Sequence, residues 1–292
     1  MVIDCHVHYE PKIFPLERML ACMEKHGVDK AALITTVCEP FYMAEKGLQK
    51  TAGDVMRFSL YHANPLGRVI YGTLVDRKGN FVLLNDKYCI YRELDNTPVA
   101  EAIDRYADKF MGWIAINPAS DTDPVAELER WSSHPGMVGA KTHPFMHRYP
   151  VSRLDSAASW CREKGCPMLI HLGCSSGRGD YRVLPERYPG LRIIYAHAGI
   201  PYYRELWSYI RDKEGLYVDL SSPYLNGDLV RKAVDFLGAE KCLYGTDGPY
   251  GSQQPGEDYD YGIVKGWIES LPLNDDEFEK IFSANFQGII ES

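Results

Sequence analysis

His6 and His8 stand two apart in the opening run VIDCHVH, where aliphatic residues would pack without burying any polar atom. In an extended chain alternate side chains share a face. Asp4, His6 and His8 should therefore lie on one side, and Ile3, Cys5 and Val7 on the side that meets a helical layer. Burying two imidazoles is costly unless each is bonded, and one shared metal ion satisfies both at once. The same intrusion recurs downstream. MLIHLG carries His171, IIYAHAG carries His197, YGTDGPYG carries Asp247, and GAKTHP sets Lys141 and His143 two apart. Imidazole nitrogens with a carboxylate suit Zn2+ best, while Mn2+, Fe2+, Co2+ and Ni2+ also accept such donors. Three protein ligands and an open position make the catalytic form of this site, in which a bound water is acidified toward neutrality.

The elements that must position these groups are legible as short apolar runs. They begin at Val2, Lys30, Phe110, Met137, Pro167, Leu191, Leu216 and Cys242. Between them lie stretches with helical spacing, such as PLERMLACMEKHG, DPVAELERWSSHPG, SRLDSAASWCREKG and DLVRKAVDFLG, several ending in the glycine that helix C-termini favour. Strand and helix alternating in this way predict an α/β fold, a (β/α)8 barrel of the TIM type spanning residues 1–292 as one domain. The first strand-to-helix turn reads HYEPKIFPLE, without the glycine-rich loop of a dinucleotide or P-loop site. The polar residues at strand ends then gather at one rim, where barrels of this kind build their active sites.

One segment departs from the alternation. From Arg68 to Leu94, after the second strand, the polar turns RKGN and ND separate β-rich runs, which predicts a small antiparallel meander. It serves either as a surface elaboration or oligomer contact, or as a lid that narrows access to the mouth. The last stretch, DDEFEKIFSANFQGIIES, predicts a helix that closes the barrel by packing.

Bulk composition narrows the partners. The chain is 45% hydrophobic and 25% charged with net charge −8, so it offers no basic field for nucleic acid. No apolar run approaches the roughly 20 residues that span a bilayer. The expectation is a cytoplasmic protein with no membrane segment and no signal peptide. Its eight cysteines stand singly in mostly apolar surroundings, as reduced core thiols do. Cys174 near the mouth has no paired base and reads as packing.

Taken together, DCHVH, GAKTHP, LIHLG, AHAG and YGTDGP resemble the amidohydrolase superfamily, in particular the amidohydrolase-2 branch that contains aminocarboxymuconate-semialdehyde decarboxylase and many hydrolases. The likeness runs from Asp4 to the C-terminal helix. It implies that His6, His8 and Asp247 bind a first divalent metal, with His171 completing a mononuclear site and His197 acting nearby as acid, base or polarising group. If Lys141 is carbamylated, it bridges two metals and His171 and His197 take the second. Asp247 is then the candidate general base, and His143 contacts substrate or supports the ligands.

The expected activity is a metal-dependent hydrolase in which activated water attacks an amide, lactone or ester carbonyl of a small substrate. Arg148 and Arg178 are candidates to hold a substrate carboxylate through paired hydrogen bonds. The alternatives are a metal-dependent non-oxidative decarboxylase of an aromatic or enoic acid, and a catalytically silent metal-binding barrel. The aromatic stretches FYMAEKG and PYYRELWSYI are expected either to make a homodimer contact or to line the mouth.

Overall fold

The computed structural model describes residues 1–41, 47–221, 223–250 and 259–291. Eight parallel strands form the main sheet: β1 (Ile3–Tyr9), β2 (Lys30–Thr35), β5 (Phe110–Ile116), β6 (Met137–Thr142), β7 (Met168–Ile170), β8 (Ile193–Tyr195), β9 (Leu216–Asp219) and β10 (Cys242–Leu243), paired in that order. Two further strands, β3 (Asn80–Leu83) and β4 (Asp86–Cys89), make a separate antiparallel hairpin. The segment after β10 returns to β1: Cys5 N–H donates to Tyr244 O at 3.0 Å, Asp247 N–H to His6 O at 2.7 Å, and His8 N–H to Gly248 O at 2.6 Å. These bonds curl the sheet into a barrel and set Asp247 beside the two histidines of β1.

The four helical stretches foreseen from spacing form helices at Leu16–His26, Pro124–Ser132, Asp155–Lys164 and Gly227–Leu237. Their ends follow local chemistry. Asp123 accepts from the N–H groups of Val125 and Ala126, and Asn226 accepts from Leu229, satisfying donors that a helix leaves open at its start. The C-terminal stretch is helical from Asp275 to Glu291, with one π turn at Lys280–Ala284. It puts Phe286 and Ile289 into a cluster with Ile3, Trp113 and Leu243, so it plugs the N-terminal mouth of the barrel. The Phe286 and Trp113 rings lie 5.9 Å apart.

The alternation expected on β1 does not hold along its length. Pairing with β2 shifts by one residue between Asp4 and Val7, which is a bulge. As a result Ile3 and Cys5 join the interior cluster with Ala32, Ile34 and Leu169, whereas Val7 joins the layer that contains helical residues such as Met19 and Cys22. Asp4 acts as an internal clamp, accepting from His6 N–H and Thr246 N–H at 3.0 Å each and from the Thr246 hydroxyl at 2.5 Å.

The small antiparallel insertion expected from Arg68 to Leu94 is present as the β3–β4 hairpin, but its first residues are not strand. RVIYG is the end of a helix, Asn64–Gly72, that follows another, Gly47–His62. Pro65 stands in its first turn, where its missing N–H costs nothing. The two helices cross closely at Gly67, where a Cβ would lie 2.5 Å from the backbone nitrogen of Leu60. Among the described residues, sheet structure in this insertion is the β3–β4 hairpin with single bridges from Val75 to Phe81 and from Ile90 to Cys38. The helix pair docks on the barrel through Asn64, which donates to Pro201 O at 3.0 Å, and Arg68, whose guanidinium lies 4.0 Å above the Tyr202 ring. PYYRELWSYI is thus covered by the chain itself, with Tyr203, Leu206, Trp207 and Ile210 buried. Of FYMAEKG, residues 42–46 lie outside the described residues. All eight cysteines are free thiols. Among the described residues no helix is long and apolar enough to cross a membrane.

Candidate metal centre

His6, His8, Lys141, His143, His171, His197 and Asp247 converge at the C-terminal rim, each no more than 7% exposed. Two groups of donor atoms could hold an ion among the described residues, His6 with His197 and Asp219, and His6 with His8 and Asp247; the second includes the two donors, His8 and Asp247, that line the pocket. His6 Nε2 lies 3.2 Å and His8 Nε2 3.5 Å from Asp247 Oδ1, and the donor atoms of the three fall within 4.8 Å of one another. Asp247 reaches this position through a left-handed backbone at φ 57°, a conformation that costs a non-glycine residue on the order of 1 kcal/mol and is concentrated at functional sites.

Asp219, at the end of β9, organises the site from behind. Its Oδ2 accepts from His6 Nδ1 at 2.9 Å, and its Oδ1 accepts from the backbone N–H of His197 at 2.9 Å and from the Ser221 hydroxyl at 2.5 Å. Burial pushes this carboxyl up, but the neighbouring His6 and the bonds it receives outweigh that and hold it below the usual range. A carboxylate can only accept, so the Ser221 hydroxyl donates to it. That hydroxyl then accepts from His197 Nδ1 at 2.8 Å, which leaves His197 Nε2 to accept from His171 Nδ1 at 3.1 Å. His171 Nε2 in turn accepts from the Tyr71 hydroxyl at 2.7 Å. One buried carboxylate thus sets the tautomers of His197 and His171 in a single chain that ends on the insertion.

Protonation follows burial and charge. Desolvation pulls His8 down to about 3 and His197 down to about 4, so both imidazoles are neutral near pH 7. His143 and His171 are pushed well below the ordinary histidine value by burial. His6 is the exception: burial and Lys141 lower it, yet Asp219 and Asp247 on its two sides lift it above the ordinary value. A divalent ion held by His6, His8 and Asp247 would take the place of that proton. The donor set of two imidazole nitrogens and one carboxylate oxygen therefore fits a divalent ion, and the carboxylate behind His6 is the usual outer partner of a metal-bound histidine. Lys141 Nζ lies 3.0 Å from His6 Nε2, and burial lowers its amine to about 8.

A narrow pocket of about 30 Å³ opens onto this set, lined by His8, Asp247, His143 and His171 and closed by Phe41 and Tyr250. Phe41 stacks on Tyr250 with centroids 4.6 Å apart and meets Phe81 of β3 at 4.8 Å. The hairpin therefore bears on the mouth. His143 stacks on His171 at 4.0 Å and accepts from Met146 N–H at 3.1 Å. Neither arginine lines this pocket. Arg148 donates to the carbonyls of Val75 at 2.7 Å and Asp76 at 3.0 Å, and Arg178 donates to Ser175 Oγ at 3.0 Å. Burial pushes the partly buried Cys174 thiol up to about 12, which suits packing.

Sequence reading missed Asp219, Ser221 and Tyr71. Asp219 interrupts the aliphatic run LYVDLSS at its strand end, the same signal that picked out His171 and His197. Tyr71 left no such signal, because it reaches the site from an insertion.

A parallel eight-stranded barrel with buried histidines and a carboxylate at its C-terminal rim is the arrangement on which metal-dependent barrel enzymes are built. The amidohydrolase family model matches residues 3–285, and the chain belongs to that family. Members are enzymes, hydrolases and decarboxylases among them, and depend on metal. No curated protein matches the sequence. Solved structures share the fold. An uncharacterised TIM-barrel protein from Bordetella bronchiseptica is 14% identical, with 99% of this chain and 98% of that chain covered at a TM-score of 0.65. A dihydroxybenzoic acid decarboxylase from Polaromonas sp. JS666, with bound manganese and the inhibitor 2-nitroresorcinol, is 16% identical over 99% and 96% at 0.60. A putative 2-pyrone-4,6-dicarboxylic acid hydrolase from Pseudomonas putida is 16% identical over 99% and 97% at 0.62.

Proposed function

We propose that this protein is a metal-dependent hydrolase of a small carbonyl compound, with His6, His8 and Asp247 holding the ion. The convergence of those three donors, of which His8 and Asp247 line the pocket, with Asp219 orienting His6 from behind, carries the reading. When bound, a divalent ion polarises a substrate carbonyl and lowers the pKa of water. Asp247 is the base. It faces the pocket, and its pKa is held below the usual range because His197 and His6 outweigh the effect of burial. It takes the proton from the attacking water and returns it to the leaving group. His197 does not line the pocket and has both ring nitrogens engaged, so it orients rather than transfers. Phe41 and Tyr250 exclude bulk water. A neutral Lys141 amine, favoured by burial, can add CO2 with loss of one proton; the carbamate with His171 and His197 would hold a second ion only if those two imidazoles gave up the bond between them.

Decarboxylation is the second reading, supported by the Polaromonas relative and by a 2,6-dihydroxybenzoate decarboxylase of the same fold. Elemental analysis of protein purified without chelator, followed by turnover of lactones, esters, amides and carboxylic acids in 18O-labelled water, tests both. Label in the product and about one or two metal equivalents support hydrolysis, CO2 release supports the second reading, and a metal-free active protein overturns both.

A further inference from the structure

Beside the candidate metal centre lies a second cavity of about 270 Å³. It sits between the two insertion helices and β3, and Met56, Ile70, Leu74 and Val82 give it walls of carbon. No charged side chain lines it among the described residues. Phe81 and Tyr224 wall both this chamber and the pocket that opens on His8 and Asp247. Two rings therefore stand between an apolar chamber and the reacting end of the barrel.

We infer that the chamber is a subsite for the hydrocarbon arm of the substrate, whose carbonyl or carboxylate head lies against His8 and Asp247 while its arm passes Phe81 and Tyr224. The inference rests on the proposed metal site for the head group alone. Its chemistry follows from what lines the two spaces. Arg148 is held by the Val75 and Asp76 carbonyls and Arg178 by Ser175, so neither guanidinium lines either space to receive a second carboxylate. An apolar, water-accessible recess gains free energy from each methylene that leaves water. The fitting ligand class is a monoanionic or neutral acyl compound with a linear alkyl or aryl arm, and a compact polycarboxylate is selected against. Insertion segments often carry the specificity of a shared barrel, because the strands fix the chemistry while the connections shape what reaches it.

Gly53 offers a test that leaves the site untouched. It lines the chamber from the helix Gly47–His62, and a Cβ there would meet nothing within 4 Å. Gly53→Leu therefore occupies the recess and also removes a helix-interior glycine. The probes are straight-chain carboxylates from butanoate to decanoate, titrated calorimetrically against Mn2+-loaded and metal-free protein. The expected result for the wild type is a Kd that falls about three- to fourfold per added CH2 until the chamber is full. In Gly53→Leu the series should flatten at the longer members, with butanoate affinity retained. In metal-free protein the increment per CH2 should survive while all members weaken. A Kd independent of chain length, or equal increments in wild type and Gly53→Leu, would overturn the subsite even if Mn2+ binds. Failure of Mn2+ to bind with the increments intact would overturn the metal centre and leave the subsite standing.

Discussion

Asp219 accepts from His6 Nδ1 at 2.9 Å, and this bond leaves His6 Nε2 as the nitrogen that faces His8 and Asp247. Imidazole has two chemically distinct nitrogens, and a partner on one decides what the other presents. Because Asp219 also receives the N–H of His197 and the hydroxyl of Ser221, one buried charge fixes three groups on three elements.

Asp219→Asn keeps the shape of this partner and removes its charge. Ion affinity should fall 10- to 100-fold, the usual cost of losing a carboxylate behind a metal-bound histidine, with the fold retained. Competition with a chelator measures the affinity, and circular dichroism checks the fold. Unchanged affinity would remove Asp219 from the site.

The insertion is held by a close helix crossing, which makes a different prediction. A methyl group at Gly67 would lie 2.5 to 2.6 Å from the backbone of Leu60 and Ser59, and backbone cannot swing aside as a long side chain can. Gly67→Ala should therefore lower stability by about 1–3 kcal/mol despite the better helix propensity of alanine. Thermal unfolding reads the loss. A stabilised variant would mean that the two helices are not packed as described.

Much of the rim was visible in the sequence because a barrel strand has little room for ambiguity. An aliphatic run that ends in His, Lys or Asp can place that residue in few positions, so His6, His8, Lys141, His171, His197 and Asp247 could be assigned to one mouth before any coordinates. What failed depended on contacts that leave no periodic trace. The bulge between Asp4 and Val7 arises where β1 meets β2 on one side and the Tyr244–Gly248 segment on the other, and strict alternation cannot see it. RVIYG read as a strand because its residues are β-branched and aromatic, but Pro65 at the start of the segment and docking on Pro201 and Tyr202 favour a helix. The contacts of the two loop arginines, Arg148 to the carbonyls of Val75 and Asp76 and Arg178 to Ser175 Oγ, likewise depend on how loops and insertion pack, which leaves no periodic trace.

Acid should unfold the protein partly through His147. Its Nε2 bonds Tyr91 O at 3.1 Å, its Nδ1 is buried without a partner among the described residues, and burial lowers its pKa from 6.5 to about 4. The folded state thus binds fewer protons than the unfolded chain between those values. Stability from this group is fully present above pH 6.5 and is lost as pH falls through 4, by about 3 kcal/mol at most. His147→Gln, which keeps a donor for Tyr91, should flatten the urea midpoint between pH 6.5 and 4 relative to wild type. An equal slope in both proteins would place the titration elsewhere.

Tyr71 separates the two roles open to His171. Its hydroxyl donates to His171 Nε2 at 2.7 Å, and its ring stacks on Phe145 with centroids 4.4 Å apart. Tyr71→Phe keeps the stacking and strands a buried acceptor, which costs about 1–3 kcal/mol in the metal-free protein. If His171 completes a metal site through that nitrogen, ion and hydroxyl compete for one lone pair. The variant should then bind Mn2+ more tightly than wild type while unfolding at a lower temperature without it. If His171 serves only to hold His197, the ion gains nothing from the missing hydroxyl, and affinity should stay level or fall as the chain of imidazoles loosens. Paired chelator titrations and metal-free unfolding curves on the two proteins distinguish these outcomes, since only direct ligation by His171 makes stability and ion affinity move in opposite directions.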